Sequence, residues 1–436
     1  MKRLASPVWA VVAALGLCSV THSVLADEFE KPPINYSKAT PDNPVSRLEA
    51  KLAQGDVKFT YDDKVGYLRS LLSALEVPIS SQVFVYSKTS LQRHKIAPET
   101  PRAVYFNDES YVGFCQDGDV LELSVADPQL GTVFYSVDQY NRATPTFLRQ
   151  TDNCLLCHGS SSTEGVPGHL VRSVFPDRGG QPILSSGSYR IDHTSPLKNR
   201  WGGWYVTGTH GEQTHMGNLI FRQPEVREPI AQTEGLNVTS LTGLVKTTPY
   251  LSAHSDLVAL MVLEHQAQGH NLLARASIET RLALHQEAML NRELKEAPDH
   301  RWNSTSVRIR SAGDALVKYL LFSEEAELTQ PVKGTSTFAA EFAKRGPFDK
   351  RGRSLREFDL SRRMFKYPCS YLIYTPSFDA LPREMLEYVY NRLWQVLAGG
   401  DTTRDFAHLT AADRTAIIEI IRATKSNLPA SWQQAE

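Results

Sequence analysis

Apolar residues follow three different patterns along this chain, and each pattern predicts a different kind of structure. From 45 to 75 they recur every three or four positions, which predicts two short helices that end before Pro78. From 82 to 138 the chain changes to short runs rich in valine, tyrosine and phenylalanine, separated by Asn-Asp, Asp-Gly and Asp-Pro turn sequences. These runs predict an antiparallel meander with strands at 83–86, 103–106, 111–115, 120–125 and 132–137.

The second half of the chain returns to helical spacing after a long irregular stretch. Residues 141–222 are rich in glycine, proline, serine, histidine and aromatic residues and have little regular period. Beyond them, one or two long amphipathic helices are predicted over 255–297, and further helices over 306–322, 382–397 and 411–425. The fold class predicted is therefore α+β, with an N-terminal antiparallel β region, a loop-rich segment and a mainly helical C-terminal region.

These patterns divide the chain into five regions. They are a signal peptide, an extended arm with short helices, an antiparallel β region, a loop-rich segment that carries the chemistry discussed below, and a helical region: 1–26, 27–81, 82–140, 141–222 and 223–436. The roughly 410 residues left after removal of a signal peptide exceed what one core usually serves, so two or three domains are predicted.

The first 26 residues have the three parts of a secretory signal peptide. Lys2 and Arg3 precede an apolar run over 8–17, and small residues end the segment at Ala26. Cleavage after Ala26 predicts a soluble exported protein, and no later stretch is apolar enough to predict a transmembrane segment. Residues 1–26 hold two basic residues and no acidic one, so the remainder has 45 basic and 48 acidic residues, a formal charge of −3. This charge gives no reason to expect nucleic acid as a partner.

The strongest chemical signal is the sequence Cys154-Leu155-Leu156-Cys157-His158. Two cysteines three positions apart with histidine directly after them form the signature of covalent c-type haem attachment. Cys154 and Cys157 would form thioethers to the haem, and His158 would be the proximal ligand of the iron. A zinc site is disfavoured because no second cysteine or histidine pair follows at zinc-site spacing. A redox dithiol is also disfavoured, because it usually opens a helix after a hydrophobic strand and the polar residues 151–153 fit that context poorly.

This motif resembles that of the c-type cytochromes, and the whole chain is similar to the large, single-haem cytochrome c domain-containing proteins of bacteria. The resemblance rests on Cys154, Cys157 and His158, and more loosely on the region up to about residue 218. It implies one covalent haem c, attached outside the cytoplasm, which agrees with the predicted export. The chain departs from the small cytochromes because about 130 residues of the mature protein precede the motif.

The sixth ligand of the iron is predicted less sharply. Met216 lies 58 residues after His158, at the kind of distance that a small cytochrome spans before its methionine ligand. A methionine can also simply fill a gap in a core. The competing ligands are His210, His215 and the more distant His265, and the remaining alternative is an open, five-coordinate iron.

The two propionates and the planar macrocycle of a haem suggest further binding residues. Arg172, Arg178 and Arg190 lie close to the motif in sequence and could pair with the propionates. Trp201 and Trp204, together with the neighbouring Tyr205, could pack on the macrocycle.

The sequence supports three functions in this order. The first is an exported monohaem c-type cytochrome that transfers electrons to or from a redox partner protein or a small molecule. The second is a haem-dependent periplasmic oxidoreductase that acts on a small molecule, which the large size favours. The third is a haem-based redox or gas sensor.

Cys115 and Cys369 could pair as a disulfide or stay separate, and the sequence does not decide between these.

Overall fold

The predicted α+β architecture is confirmed in a computed structural model, which describes residues 28–142, 144–221 and 234–433. An antiparallel sheet forms the first half of the described chain, and the second half is mainly helical. The predicted signal peptide over 1–26 lies outside the described residues, as do parts of the predicted helical region.

Two short helices precede the sheet, as the apolar spacing predicts: α1 (Pro44–Gln54) and α2 (Leu68–Ala74). Helix α1 begins at Asn43, whose side-chain oxygen accepts hydrogen bonds from the backbone of Val45 and Ser46. It ends at Gly55, where a left-handed φ of 79° suits a residue without Cβ.

The sheet has seven strands in the order β6-β5-β4-β3-β2-β1-β9. Five of them confirm the predicted strands: β1 (Val83–Val85), β2 (Arg102–Phe106), β3 (Ser110–Phe114), β4 (Val120–Asp127) and β5 (Gly131–Asp138). The two edge strands, β6 (Phe147–Gln150) and β9 (Trp204–Tyr205), come from the segment predicted as loops. The sheet therefore extends beyond residue 140. The sequence does not reveal these two strands, because four and two residues are too few to show an alternation of apolar and polar positions.

The irregular segment contains only short elements within its described residues. They are helix α3 (Leu155–His158), a hairpin of strands β7 (Arg172–Val174) and β8 (Ser188–Arg190), and strand β10 (Gly208–Thr209). Strand β10 pairs with β11 (Lys333–Gly334), which ties this segment to the C-terminal half.

The predicted helices of the C-terminal half are confirmed within a few residues. They are α4 (Leu257–Leu294), α5 (Asn303–Leu320), α8 (Arg383–Leu397) and α9 (Ala411–Thr424), with the short α6 (Phe338–Ala343) and α7 (Pro376–Asp379) between them. Helix α4 is one continuous helix of 38 residues. It begins at Asp256, whose carboxylate accepts hydrogen bonds from Val258 and Ala259 and also holds the backbone of Thr335.

The two faces of the sheet pack against different parts of the chain. One face is mostly apolar and is covered by the N-terminal arm and α1 and α2, in a cluster that includes Leu68 and Val112. The other face packs against α4 near its middle, so residues such as Val104 and Leu260 belong to one cluster with the C-terminal helices. The predicted β and helical regions therefore share a core. Within the described chain, no helix combines the length and the apolar character needed to cross a membrane.

Candidate functional site

The motif predicted to attach haem folds into a single helical turn. Strand β6 leads into α3, where the backbone N–H of His158 donates to the carbonyl of Cys154 at 2.9 Å. Residues four apart on a helix lie on the same side, so Cys154 and His158 face the same way and Cys157 lies beside them. Both cysteines are free thiols; Cys157 is exposed and Cys154 is half-buried, and burial raises the pKa of the Cys154 thiol to about 11.

The ring of His158 is held by the backbone of one residue ten positions later. Its Nδ1 lies 2.9 Å from the carbonyl oxygen of Gly168, and the N–H of Gly168 donates to the carbonyl of His158 at 2.8 Å. Burial lowers the pKa of His158, which favours the neutral imidazole with the proton on Nδ1. Nε2 then carries the free lone pair, and it makes no hydrogen bond to any residue that the structure describes. A metal-bound histidine typically has this arrangement.

The face of the sheet that packs against α4 also contacts this histidine, through Phe134. The centroids of the Phe134 and His158 rings are 4.9 Å apart. Directly paired residues of an antiparallel sheet share a face, and Ser136, which is paired with Leu148, lies on the same face as Phe134. Leu148 on this face is 60% exposed, and Leu156 inside the motif is 80% exposed. Large apolar side chains open to solvent beside the motif suit a site that receives a large apolar cofactor.

An ion pair on the same face acts on the motif electrostatically. Arg102 and Glu122 pair at 2.8 Å, and their charges contribute to the pKa of both Cys154 and His158. The guanidinium lies over Gly113, where an added Cβ would come within 2.3 Å of it. Glycine at this position therefore makes room for the ion pair. Because Arg102 lies far from the motif in sequence, only the strand pairing reveals it.

The three arginines predicted to pair with the haem propionates lie on the β7–β8 hairpin and in its turn, and two of them have protein partners. Arg190 pairs with Glu164 at 2.8 Å, and Arg172 donates to the side chain of Ser188 across the hairpin at 2.7 Å. Arg178 is exposed in the turn that follows β7. Arg172 and Arg190 are directly paired across the hairpin, whereas Arg178 lies apart from them in the turn.

The predicted aromatic residues are buried parts of the scaffold. Trp201 is fully buried, and its indole N–H donates to Glu264 of α4 at 3.1 Å. Trp204, on the face of the sheet that packs against α4, donates to the carbonyl of Arg172 at 2.8 Å. Tyr205 points to the opposite face and donates to the backbone of residue 98. The two tryptophans fix the segment to α4 and to β7 through their indole N–H groups. Neither has a ring contact with His158 in the described structure.

Met216 lies in a small apolar cluster with Phe175 and Phe221. Its sulphur accepts a hydrogen bond from the hydroxyl of Ser173 at 3.6 Å, and the side chain is 6% exposed. No contact joins Met216 to His158 in the described part of the chain. This placement fits the packing role, because Met216 contacts Ser173 of β7 and packs with two phenylalanines; ligation of the iron by Met216 stays a prediction.

The three alternative histidine ligands are buried. His265 has both ring nitrogens in hydrogen bonds, with His193 at 2.8 Å and with the hydroxyl of Ser370 at 2.8 Å, so it is a satisfied core histidine. The rings of His210 and His215 are 4.8 Å apart. Burial, followed by the charge of His210, lowers the pKa of His215 to about 3, so this ring is neutral.

Cys115 and Cys369 are separate buried thiols in the structure, which answers the question of their pairing that the sequence leaves open. Burial raises the pKa of each thiol to about 12, so neither is reactive in the folded chain.

The chemistry of the assembled site follows from its donors. Two thiols on one helical turn can each form a carbon–sulphur bond, and a neutral imidazole with a fixed tautomer can bind one metal ion through Nε2. Phe134, Gly168 and the Arg102–Glu122 pair complete the site, and no motif in the sequence points to them. Comparison of the chain with protein-family models, curated proteins and solved structures found no match.

Proposed function

We propose that this protein is an exported monohaem c-type cytochrome that transfers electrons. Cys154 and Cys157 hold the haem through thioether bonds, and Nε2 of His158 binds the iron. The observation that carries this proposal is the hydrogen bond from Nδ1 of His158 to Gly168 at 2.9 Å, in a motif whose two thiols are free. It leaves Nε2 as the metal-binding nitrogen, directly beside the two attachment residues.

The haem would supply a one-electron redox centre, and the chain would set its properties. Each thiol of Cys154 and Cys157 adds across a vinyl double bond, so the S–H proton goes to carbon and no oxidant is consumed. The carbonyl of Gly168 keeps the proton on Nδ1 of His158 and fixes the plane of the ring. The Arg102–Glu122 pair adds a fixed dipole beside the site.

Export and partners belong to the same proposal. A signal peptide over 1–26 sends the chain out of the cytoplasm, and the mature protein begins at Asp27. The partner is a redox protein or a small-molecule electron donor or acceptor. Mass spectrometry of the protein from the periplasm of a bacterial host should give a mature N-terminus at Asp27, and a retained leader on a cytoplasmic protein would contradict this.

The placement of Met216 favours a second candidate function. Its sulphur accepts a hydrogen bond from Ser173 inside an apolar cluster, which supports a packing role and with it an iron open on one side. An open iron can bind a small molecule, as a haem-dependent oxidoreductase or a haem-based redox or gas sensor requires.

Covalent attachment is tested by a haem stain that survives a denaturing gel. The wild type is produced in a host with haem-attachment machinery beside the double variant Cys154→Ala/Cys157→Ala and the matched control Cys369→Ala. The wild type and the control should keep the stain, and the double variant should lose it. An exported, folded wild type without stain would refute the proposal.

Carbon monoxide then separates the two candidate functions. Rapid binding to the reduced protein indicates an open iron and supports the oxidoreductase or sensor. A near-infrared methionine–iron band together with no carbon monoxide binding indicates a carrier ligated by Met216.

A further inference from the structure

Buried polar side chains occupy a continuous stretch of α4. The stretch has six buried polar residues within eight positions: Glu264, His265, Gln266, Gln268, His270 and Asn271. A buried polar group is costly without a partner, so each position must be matched by a group on a neighbouring element. Two of these residues, together with Arg275 one turn later, reach the segment that follows the haem motif.

The first connection is an ion-pair cluster around Glu164. Its carboxylate accepts from Gln268 at 2.9 Å and from Arg275 at 3.0 Å, both on α4, and from Arg190 of β8 at 2.8 Å. Glu164 lies six residues after His158. Helix α4 therefore holds the early part of this segment by side-chain contacts.

The second connection reaches the backbone next to His158 itself. The side-chain oxygen of Asn271 accepts the backbone N–H of His169 at 2.7 Å, and its amide nitrogen donates to the carbonyl of His169 at 2.8 Å. One amide thus binds both backbone groups of one residue, and Asn271 is 1% exposed. An added Cβ on Gly168 would lie 2.4 Å from the same side-chain oxygen, so the amide also lies directly against Gly168.

Gly168 is the residue whose carbonyl accepts Nδ1 of His158. Because Asn271 fixes the peptide on one side of Gly168, it also fixes the position of this carbonyl. We infer that Asn271 is a positioning residue for the axial histidine, which acts through Gly168 to set the strength of the hydrogen bond on Nδ1. This inference rests on the proposed function, since His158 must be the iron ligand for the bond to matter.

The direction of the effect follows from ligand chemistry. A strong hydrogen bond from Nδ1 to a carbonyl gives the imidazole more anionic character, and a more basic ligand favours oxidised iron. Loss of the Asn271 amide lets the Gly168 carbonyl drift and weakens this bond. The reduction potential of the haem should therefore become more positive.

The experiment compares two asparagines of the same helix. Asn271→Leu replaces the amide by a branched apolar group with the same number of heavy atoms. Asn291→Leu is the matched control, because Asn291 is 2% exposed and its amide also makes two hydrogen bonds, to His300 and Trp302, on the far part of α4. Reduction potentials are measured by spectroelectrochemistry, and the midpoint of urea unfolding is measured for each protein.

Both variants should unfold at lower urea concentration, and both should keep the covalent haem stain. Only Asn271→Leu should shift the potential. At the wild-type midpoint its ratio of reduced to oxidised haem should rise about threefold or more, where tenfold corresponds to about 59 mV for one electron. If Asn271→Leu does not fold, Asn271→Ala beside Asn291→Ala decides by the same comparison.

The two hypotheses fail in different ways. A wild type without covalent haem overturns the proposed function, and the inference with it. Covalent haem in every variant, with the same potential in the Asn271 variant as in its Asn291 control, overturns the inference alone and leaves the proposed function standing.

Discussion

His270 makes the fold sensitive to acid, and the size of this effect can be worked out. Burial lowers the pKa of His270 from its ordinary 6.5 to about 4, although the hydrogen bond to Asp108 raises it slightly. Nε2 lies 2.8 Å from the carbonyl oxygen of Asp108, and the rings of His169 and Tyr111 face it with centroids at 5.6 and 6.3 Å. In the folded chain this imidazole stays neutral where the unfolded chain already binds a proton.

The sign and magnitude follow from linkage. A histidine whose folded-state pKa is depressed contributes stability that is present above its unfolded pKa and is lost as pH falls. The loss occurs here between about pH 6.5 and 4 and amounts to about 2 kcal/mol between pH 7 and pH 5. His270→Gln removes the titrating group and keeps an amide that can donate to Asp108. The variant should therefore lose about 2 kcal/mol less of its free energy of unfolding over this pH range than the wild type.

Urea unfolding at pH 7, 6 and 5 measures this difference for wild type and variant. His94→Gln is the control, because His94 is exposed. It should have the acid sensitivity of the wild type. If His270→Gln loses as much stability between pH 7 and pH 5 as the wild type does, the proton linkage of His270 is wrong.

Three further predictions concern other buried groups. Glu264→Leu leaves the Arg200 guanidinium buried without its carboxylate and should lower the free energy of unfolding by about 3–5 kcal/mol in urea titrations; a loss below about 1 kcal/mol would contradict the buried pair. Met216→Leu keeps the volume of the cluster and should lower the free energy of unfolding by under about 1.5 kcal/mol; if the proposed function is correct, an unchanged visible spectrum of the variant would support the packing role and a changed spectrum the ligand role. If the proposed function is correct, a thiol reagent should label no cysteine of the folded protein and two, Cys115 and Cys369, after unfolding, whereas none after unfolding would reveal a disulfide.

The fold was predictable wherever one pattern repeats over enough residues. Strands β2 to β5 have five to eight residues with dense valine, tyrosine and phenylalanine, and turn residues mark their ends. The edge strands β6 and β9 were missed because their pairing with β5 and β1 creates them, and their own sequences give no alternation.

The site was only partly predictable, for a related reason. The motif identifies Cys154, Cys157 and His158 because all three lie within five residues. Phe134 and Asn271 reach the same place through strand pairing and helix packing, and sequence separation hides such contacts. Met216 has a suitable spacing from the motif, but spacing alone does not say which way the intervening hairpin turns.

The position of the motif within the fold gives a physical reason for the size of the chain. The segment around His158 has little regular structure of its own, so it cannot fix an axial ligand by itself. The sheet packs against the ring through Phe134, while α4 holds the peptide after Gly168 through Asn271 and the start of the segment through Glu164. Part of this support comes from α4, whose Asn271 lies more than a hundred residues after His158 in the chain. If the proposed function is correct, the helical half is therefore part of the redox site. A chain without it should no longer hold the ring of His158 in one orientation, although every motif residue remains.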